Sequence, residues 1–229
     1  MTKLVVECCA NSIQSAINGE KGEANRIELC KSLEVGGLTP SYDNILLAKS
    51  LIQIPIFVLI RPRKGNFIYS DTEFKQIISD IKFCKEIGCN GVVIGSLNKD
   101  GSINQLQSTE MINIARPMEV TFHRAFDESK DIENDLETII NCGCDRLLTS
   151  GKKENIDNGI ENLKTIIKLA NNRIKIIAAS GVSHRNIGKL YKIGIREFHL
   201  SGKIKNKDGK KETSEELIRL AATKAKNLA

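Results

Sequence analysis

Glu7-x-Cys9 and Glu28-x-Cys30 repeat one spacing: a carboxylate, any residue, then a thiol. Each closes a short apolar run, Leu4 to Cys8 and Arg26 to Cys30. Side chains alternate faces along a strand, so an acid and a thiol two residues apart share a face. On neighbouring strands with that face inward, the spacing predicts two carboxylates in a lower layer and two thiols in an upper one. Paired thiolates are a soft donor set that favours Cu(I) or Zn(II). Two thiols alone are equally compatible with small apolar filling, the ordinary role of a free cysteine.

A different chemistry ends a third strand. In Val120-Thr121-Phe122-His123-Arg124-Ala125-Phe126-Asp127, a β-branched and aromatic run breaks into imidazole, guanidinium and carboxylate. The apolar run Ile54 to Ile60 ends in Arg61-Pro62-Arg63, and Ile195 to His199 ends in an imidazole. Arg61, Arg63 and Arg124 are suited to gripping a phosphate or carboxylate. His123 with Glu7 or Glu28 has the residue types of an acid–base set. The expected electrostatics are a Glu7 or Glu28 kept ionised by an arginine and a His123 that holds its proton more firmly. Ser180-Gly181 and Ser201-Gly202 end two further runs and suit either an anion corner or plain tight turns.

These residues need elements to bring them together. Apolar runs and amphipathic stretches alternate along the whole chain. Strands are expected at Leu4–Cys8, Arg26–Cys30, Ile54–Ile60, Gly91–Gly95, Glu119–His123, Asp145–Thr149, Arg173–Ala178 and Ile195–His199. Helices are expected after each, among them Ser41–Leu51, Asp71–Ile87 with apolar positions spaced by 3.6 residues, Asn104–Arg116, Ser183–Ile193 and Ser214–Ala225. Strict alternation implies right-handed βαβ units and a parallel sheet. Eight units predict one α/β domain, residues 1–229, folded as a closed (β/α)8 TIM barrel, with an open doubly wound sheet as the alternative. The first strand–helix turn, Cys9 to Ile13, lacks glycine, which argues against a dinucleotide-binding opening. In a barrel the strand C-termini carry function, so the named residues should share one mouth. A pocket lined by Glu7, Glu28, Arg61, His123, Arg124 and His199 is expected there.

The 229 residues are 41% hydrophobic and 27% charged, a folded rather than a disordered balance. The net charge of +6 is concentrated on helix faces and in a Lys203-to-Lys211 loop. No aromatic–arginine stripe accompanies it, so nucleic-acid binding is not expected. No apolar run reaches membrane-spanning length, so no membrane partner is expected. Lys3 is followed only by a short run ending at Glu7, which does not read as a secretion signal. Seven cysteines, an odd number, read as reduced thiols rather than a disulfide framework, and the expected compartment is the cytoplasm.

Several longer motifs carry a resemblance: Arg26-Ile27-Glu28-Leu29-Cys30, Gly36-Gly37-Leu38-Thr39-Pro40-Ser41, Ile60-Arg61-Pro62-Arg63, Tyr69-Ser70-Asp71, the run Val120 to Asp127, Leu148-Thr149-Ser150-Gly151 and Glu197-Phe198-His199. With these the chain resembles the copper homeostasis protein CutC family over nearly its whole length. The resemblance implies a cytoplasmic, oligomeric TIM barrel tied to copper tolerance, with Cys9 and Cys30 as Cu(I) ligands. Two departures, Ala178-Ala179-Ser180-Gly181 in place of a run of glycines and Leu200 after His199, crowd the anion corner. Two functions are therefore expected: Cu(I) handling by the thiols, or an enzyme or binder of a small anionic metabolite using the rim's histidine, glutamates and arginines.

Overall fold

A computed structural model describes residues 4–205, 209 and 211–228. Eight parallel strands close into a barrel in sequence order: β1 (Val5–Ala10), β2 (Arg26–Leu29), β3 (Ile56–Leu59), β4 (Gly91–Ile94), β5 (Glu119–Phe122), β6 (Arg146–Thr149), β7 (Lys175–Ala178) and β8 (Glu197–Leu200). The seam is closed by β1 against β8, with Glu7 level with His199. The expected (β/α)8 barrel is the fold, and the open sheet is excluded. No helix among the described residues is long and apolar enough to cross a membrane.

Helices form where the chain supplies caps and an apolar stripe. Ser12 caps α1 (Ile13–Lys21), Ser41 caps α2 (Tyr42–Leu51), and Ser70 with Glu73 makes a reciprocal capping box on α3 (Asp71–Glu86). Asn104 caps α4 (Gln105–Ala115), and Asp131 caps α6 (Ile132–Cys142), which ends at Gly143 with φ +89°. Then follow α7 (Ile160–Ala170), α8 (Ile187–Lys192) and α9 (Glu215–Lys226). A short α5 (Ala125–Glu128) directly after β5 was not expected. The last strand–helix connection also differs from expectation. Lys203–Lys205 and Lys211–Thr213 pair as a small antiparallel hairpin, β9 and β10, within what reads in sequence as a basic loop; Asn206, Lys207, Asp208 and Lys210 lie outside the described residues.

Alternation along the strands separates two interiors. Val6, Cys8 and Ala10 of β1 join the large core between sheet and helices, as do Ile27, Leu29 and Val58. Cys9, Cys30, Phe57, Leu59 and Val93 form a separate cluster inside the barrel, and Leu148, Ile177 and Ala179 form another. The inner face is otherwise polar. Arg26 is ion-paired with Glu7 and, at 2.7 Å, with Glu197. Arg146 reaches Glu197 at 3.1 Å and Glu119 at 3.0 Å. Buried charges persist only when paired, and this chain of ion pairs fills the barrel with matched charge below the mouth.

Register corrects the expected layering. Glu7 stands level with Arg26, and Cys9 level with Glu28. The carboxylates therefore do not form one layer and the thiols another. Closing a barrel staggers neighbouring strands, and the stagger raises β2 by one inward residue relative to β1. Glu7 sits lowest, Cys9 and Glu28 share the middle level, and Cys30 lies above them.

Candidate functional site at the barrel mouth

The C-terminal ends of the strands surround a cavity of about 430 Å3. Its floor is Cys9, Glu28 and His199, from β1, β2 and β8. One donor atom from each of these three lies within 4.8 Å of the others. Cys30 stands beside them, its Sγ 3.9 Å from the Sγ of Cys9, and the Cys9 thiol also lies 3.9 Å from Glu28 Oε1. Glu7 is not in the cavity wall. It is fully buried one level down, where Oε1 lies 2.7 Å from His199 Nδ1 and Oε2 accepts from Arg26 Nε. Glu7 thus holds the His199 ring through Nδ1 while His199 lines the cavity.

Opposite the floor stand Arg61, Phe67, His123 and Arg124. The Arg61 guanidinium stacks 4.6 Å over the Phe67 ring and donates to the carbonyls of Val35, Gly37 and Gly65, pinning the loops that follow β2 and β3. Arg63 turns away from the cavity, to Glu73 and the carbonyls of Asn66 and Ile68. Pro62 lies between them, and the period-2 spacing that puts Arg61 and Arg63 on one face of a strand no longer applies once the strand has ended at Leu59. Arg124 pairs with Asp127 at 2.7 Å and donates to Ser150 Oγ. Asp127 organises this corner, accepting from Thr149, from Ser150 N and Oγ and from Lys152 N. Ser180, Gly181, Ser201 and Gly202 complete the wall. The Ser180 hydroxyl already donates to the Glu154 carbonyl, and Ser180, Gly181 and Gly202 all have positive φ.

Burial sets the protonation of these groups, and charge partners divide them. Burial pushes the Glu7 carboxyl up, but Arg26 and His199 outweigh it and hold it down at about 2. Among the described residues, no arginine bonds to Glu28. Burial carries its carboxyl up to about 7, although His199 opposes the rise, and its Oε2 is buried without a hydrogen bond. His199 is pulled down by burial but held above its ordinary value by Glu28 and Glu7. His123 behaves opposite to expectation. Burial, then Arg61, drive it down to about 3, so the ring is neutral at physiological pH. The sequence placed it near carboxylates; the fold placed a guanidinium beside it. The hydrogen bond with Cys30, together with burial, keeps the Cys9 thiol well above its ordinary value.

With this geometry in place, comparison with known proteins is decisive. The CutC family profile matches residues 4–204. A CutC family protein of Parabacteroides distasonis is 44% identical over 203 residues, spanning 88% of this chain and 84% of the relative. This chain belongs to the CutC family. The human copper homeostasis protein cutC homolog is 40% identical over 208 residues, 90% of this chain and 76% of the relative. A crystal structure described as copper homeostasis protein CutC from Streptococcus agalactiae superposes with a TM-score of 0.82 at 30% identity, covering 86% of this chain and 98% of that one. An aldolase, at a TM-score of 0.68 and 12% identity over 98% of this chain, shares the barrel fold.

In this CutC-family mouth, Glu28, Arg61, His123, Arg124 and His199 line one cavity, as the strand-end reasoning expected. Sequence reasoning passed over Phe67, which comes from a loop without periodicity. It also passed over the inner ion pairs of Arg26, Arg146 and Glu197. The signal for Arg26 was present: it lies two residues before Glu28 and therefore on the same face.

Proposed function

We propose that this protein binds Cu(I) between Cys9 and Cys30 and serves copper homeostasis in the cytoplasm. The observation that carries this reading is the 3.9 Å approach of the two sulfurs beside the floor of the mouth cavity. With metal–sulfur bonds of about 2.3 Å, two sulfurs so spaced fit one ion. Two thiols form the soft donor set that Cu(I) prefers, and His199 and Glu28 lie within reach of Cys9. The names of the relatives support the same reading. Loading must release protons, because the Cys9 thiol is protonated without metal. The partly exposed Leu46, Leu47 and Leu51 of α2 suit an assembly of copies, which light scattering on the purified protein measures.

The test is anaerobic titration with Cu(I) against a competing chelator. One ion per chain is expected for the native protein and none for Cys9→Ser/Cys30→Ser. Unchanged stoichiometry in the double variant would overturn the proposal.

A further inference from the structure

Arg61 and His123 present a second, independent chemistry in the same cavity. Arg61 is only 6% exposed, and no carboxylate pairs with it among the described residues. Three of its donor contacts go to backbone carbonyls, and its Nε–H has no acceptor. Burying a cation without a counter-charge is unfavourable, and a buried donor without an acceptor adds to the cost. His123 is 4% exposed, and its Nδ1 accepts from the Ala125 N–H at 3.1 Å. The neutral ring therefore carries its hydrogen on Nε2. That nitrogen also lacks a partner. Both residues line the mouth cavity, whose volume lies in the range of small-molecule sites.

We infer that the mouth cavity binds a small carboxylate, its oxygens accepting from Arg61 Nε–H and His123 Nε2–H. An anionic group at the cavity wall supplies the missing counter-charge, and a small rotation of the two side chains, whose free donor atoms lie just beneath that wall, gives each an acceptor. Carboxylate fits better than phosphate for two reasons. Three of the four terminal hydrogens of the guanidinium are already engaged by loop carbonyls, which leaves few donors for a third oxygen. Glu28, Asp127 and Glu128 also line the cavity and disfavour a more highly charged anion. The rest of the ligand meets Phe67, Leu59 and Leu148 and is therefore a short, partly apolar body. The site uses neither sulfur and does not depend on copper.

The experiment is calorimetry and thermal shift on the metal-free full chain, with the monocarboxylates acetate, pyruvate, butyrate and benzoate as probes and inorganic phosphate as the contrasting arm, at matched ionic strength. At least one carboxylate is expected to bind one per chain and raise the melting temperature. His123→Asn keeps an acceptor for the Ala125 N–H but loses the Nε2 donor, and it should weaken that binding at least 10-fold. Arg61→Lys, which retains the charge and loses the Nε–H, should do the same, with circular dichroism confirming that each variant folds. Lys75→Ala removes an exposed positive charge on α3 and should leave affinity unchanged. No binding by any carboxylate, binding of phosphate alone, or native affinity in folded His123→Asn would each overturn the inference.

Discussion

His199 and Glu7 are joined across the closing seam of the barrel. Their strands pair with these two residues in register, and Nδ1 lies 2.7 Å from Glu7 Oε1. A histidine whose Nδ1–H is held by a carboxylate has its tautomer and orientation set, leaving Nε2 for a ligand. Glu7 is therefore a positioning residue for the proposed metal site. Glu7→Gln should lower the His199 pKa in the metal-free protein, because the charge that favours the imidazolium is gone. Cu(I) affinity should fall about 10-fold to 100-fold, at unchanged stoichiometry. NMR titration of the imidazole and chelator competition measure the two effects. A His199 titration identical to the native protein's would remove Glu7 from this role.

Glu28 makes stability depend on pH in the unusual direction for a carboxylate. Its pKa rises from 4.5 to about 7 on folding. The folded chain thus binds the proton more tightly than the unfolded one. This contribution is fully present below pH 4.5 and is lost as pH rises through 7. Glu28→Gln mimics the protonated group, so at pH 8 it should be more stable than the native protein by roughly 3 kcal/mol. At pH 4.5 the difference should close. Urea melts at the two pH values provide the comparison, and a gap that does not change with pH contradicts it.

Arg26 neutralises Glu7 and Glu197 inside the barrel. Arg26→Met leaves Glu7 buried without its guanidinium, while Glu197 keeps Arg146, and should cost about 3–5 kcal/mol. Adding Glu7→Gln should recover part of that loss, since the pair is then removed rather than broken. The Glu7 pKa, held near 2 in the native fold, sets the pH window. The stability this group contributes is present above pH 4.5 and is lost as pH falls through 2. The penalty of the single variant should accordingly shrink in acid. Strictly additive losses in denaturant melts would show that the two residues are not coupled.

Gly95 leaves the space that His123 occupies. A Cβ on Gly95 would clash with His123 Cε1 and Nδ1 and stand 3.2 Å from Ala125 Cβ. Gly95→Ala must move the imidazole, at a cost of about 1–3 kcal/mol for overpacking. It should also weaken carboxylate binding, because the Nε2 donor is displaced. The His123 ring resonances and a carboxylate titration report both effects. A folded variant with native ring shifts and native binding would show that the ring is not held by this contact.

The alternation of strand and helix was legible residue by residue, and with it the barrel and the mouth. Periodicity of 2 and 3.6, serine and asparagine caps and glycine stops are local properties, written wherever the backbone must change conformation. That is why the helix read at Asp71–Ile87 forms over Asp71–Glu86, and why Glu28, Arg61, His123, Arg124 and His199 meet at one cavity. The Glu7-x-Cys9 and Glu28-x-Cys30 spacings likewise determined that each acid shares a face with its thiol.

Tertiary structure alone decided the levels and the charges. The stagger of closed strands set Cys9 beside Glu28 and Glu7 beside Arg26, and no spacing within either strand contains that offset. Arg61 and Arg63 are two residues apart, yet one faces the cavity and the other Glu73, because the chain between them has left the strand. The protonation of His123 and Glu28 follows from which neighbour burial brings to each: a guanidinium for the histidine, no bonded arginine for the glutamate. Electrostatic energies inside a barrel depend on distances between strands far apart in sequence, and those distances exist only once the barrel has closed.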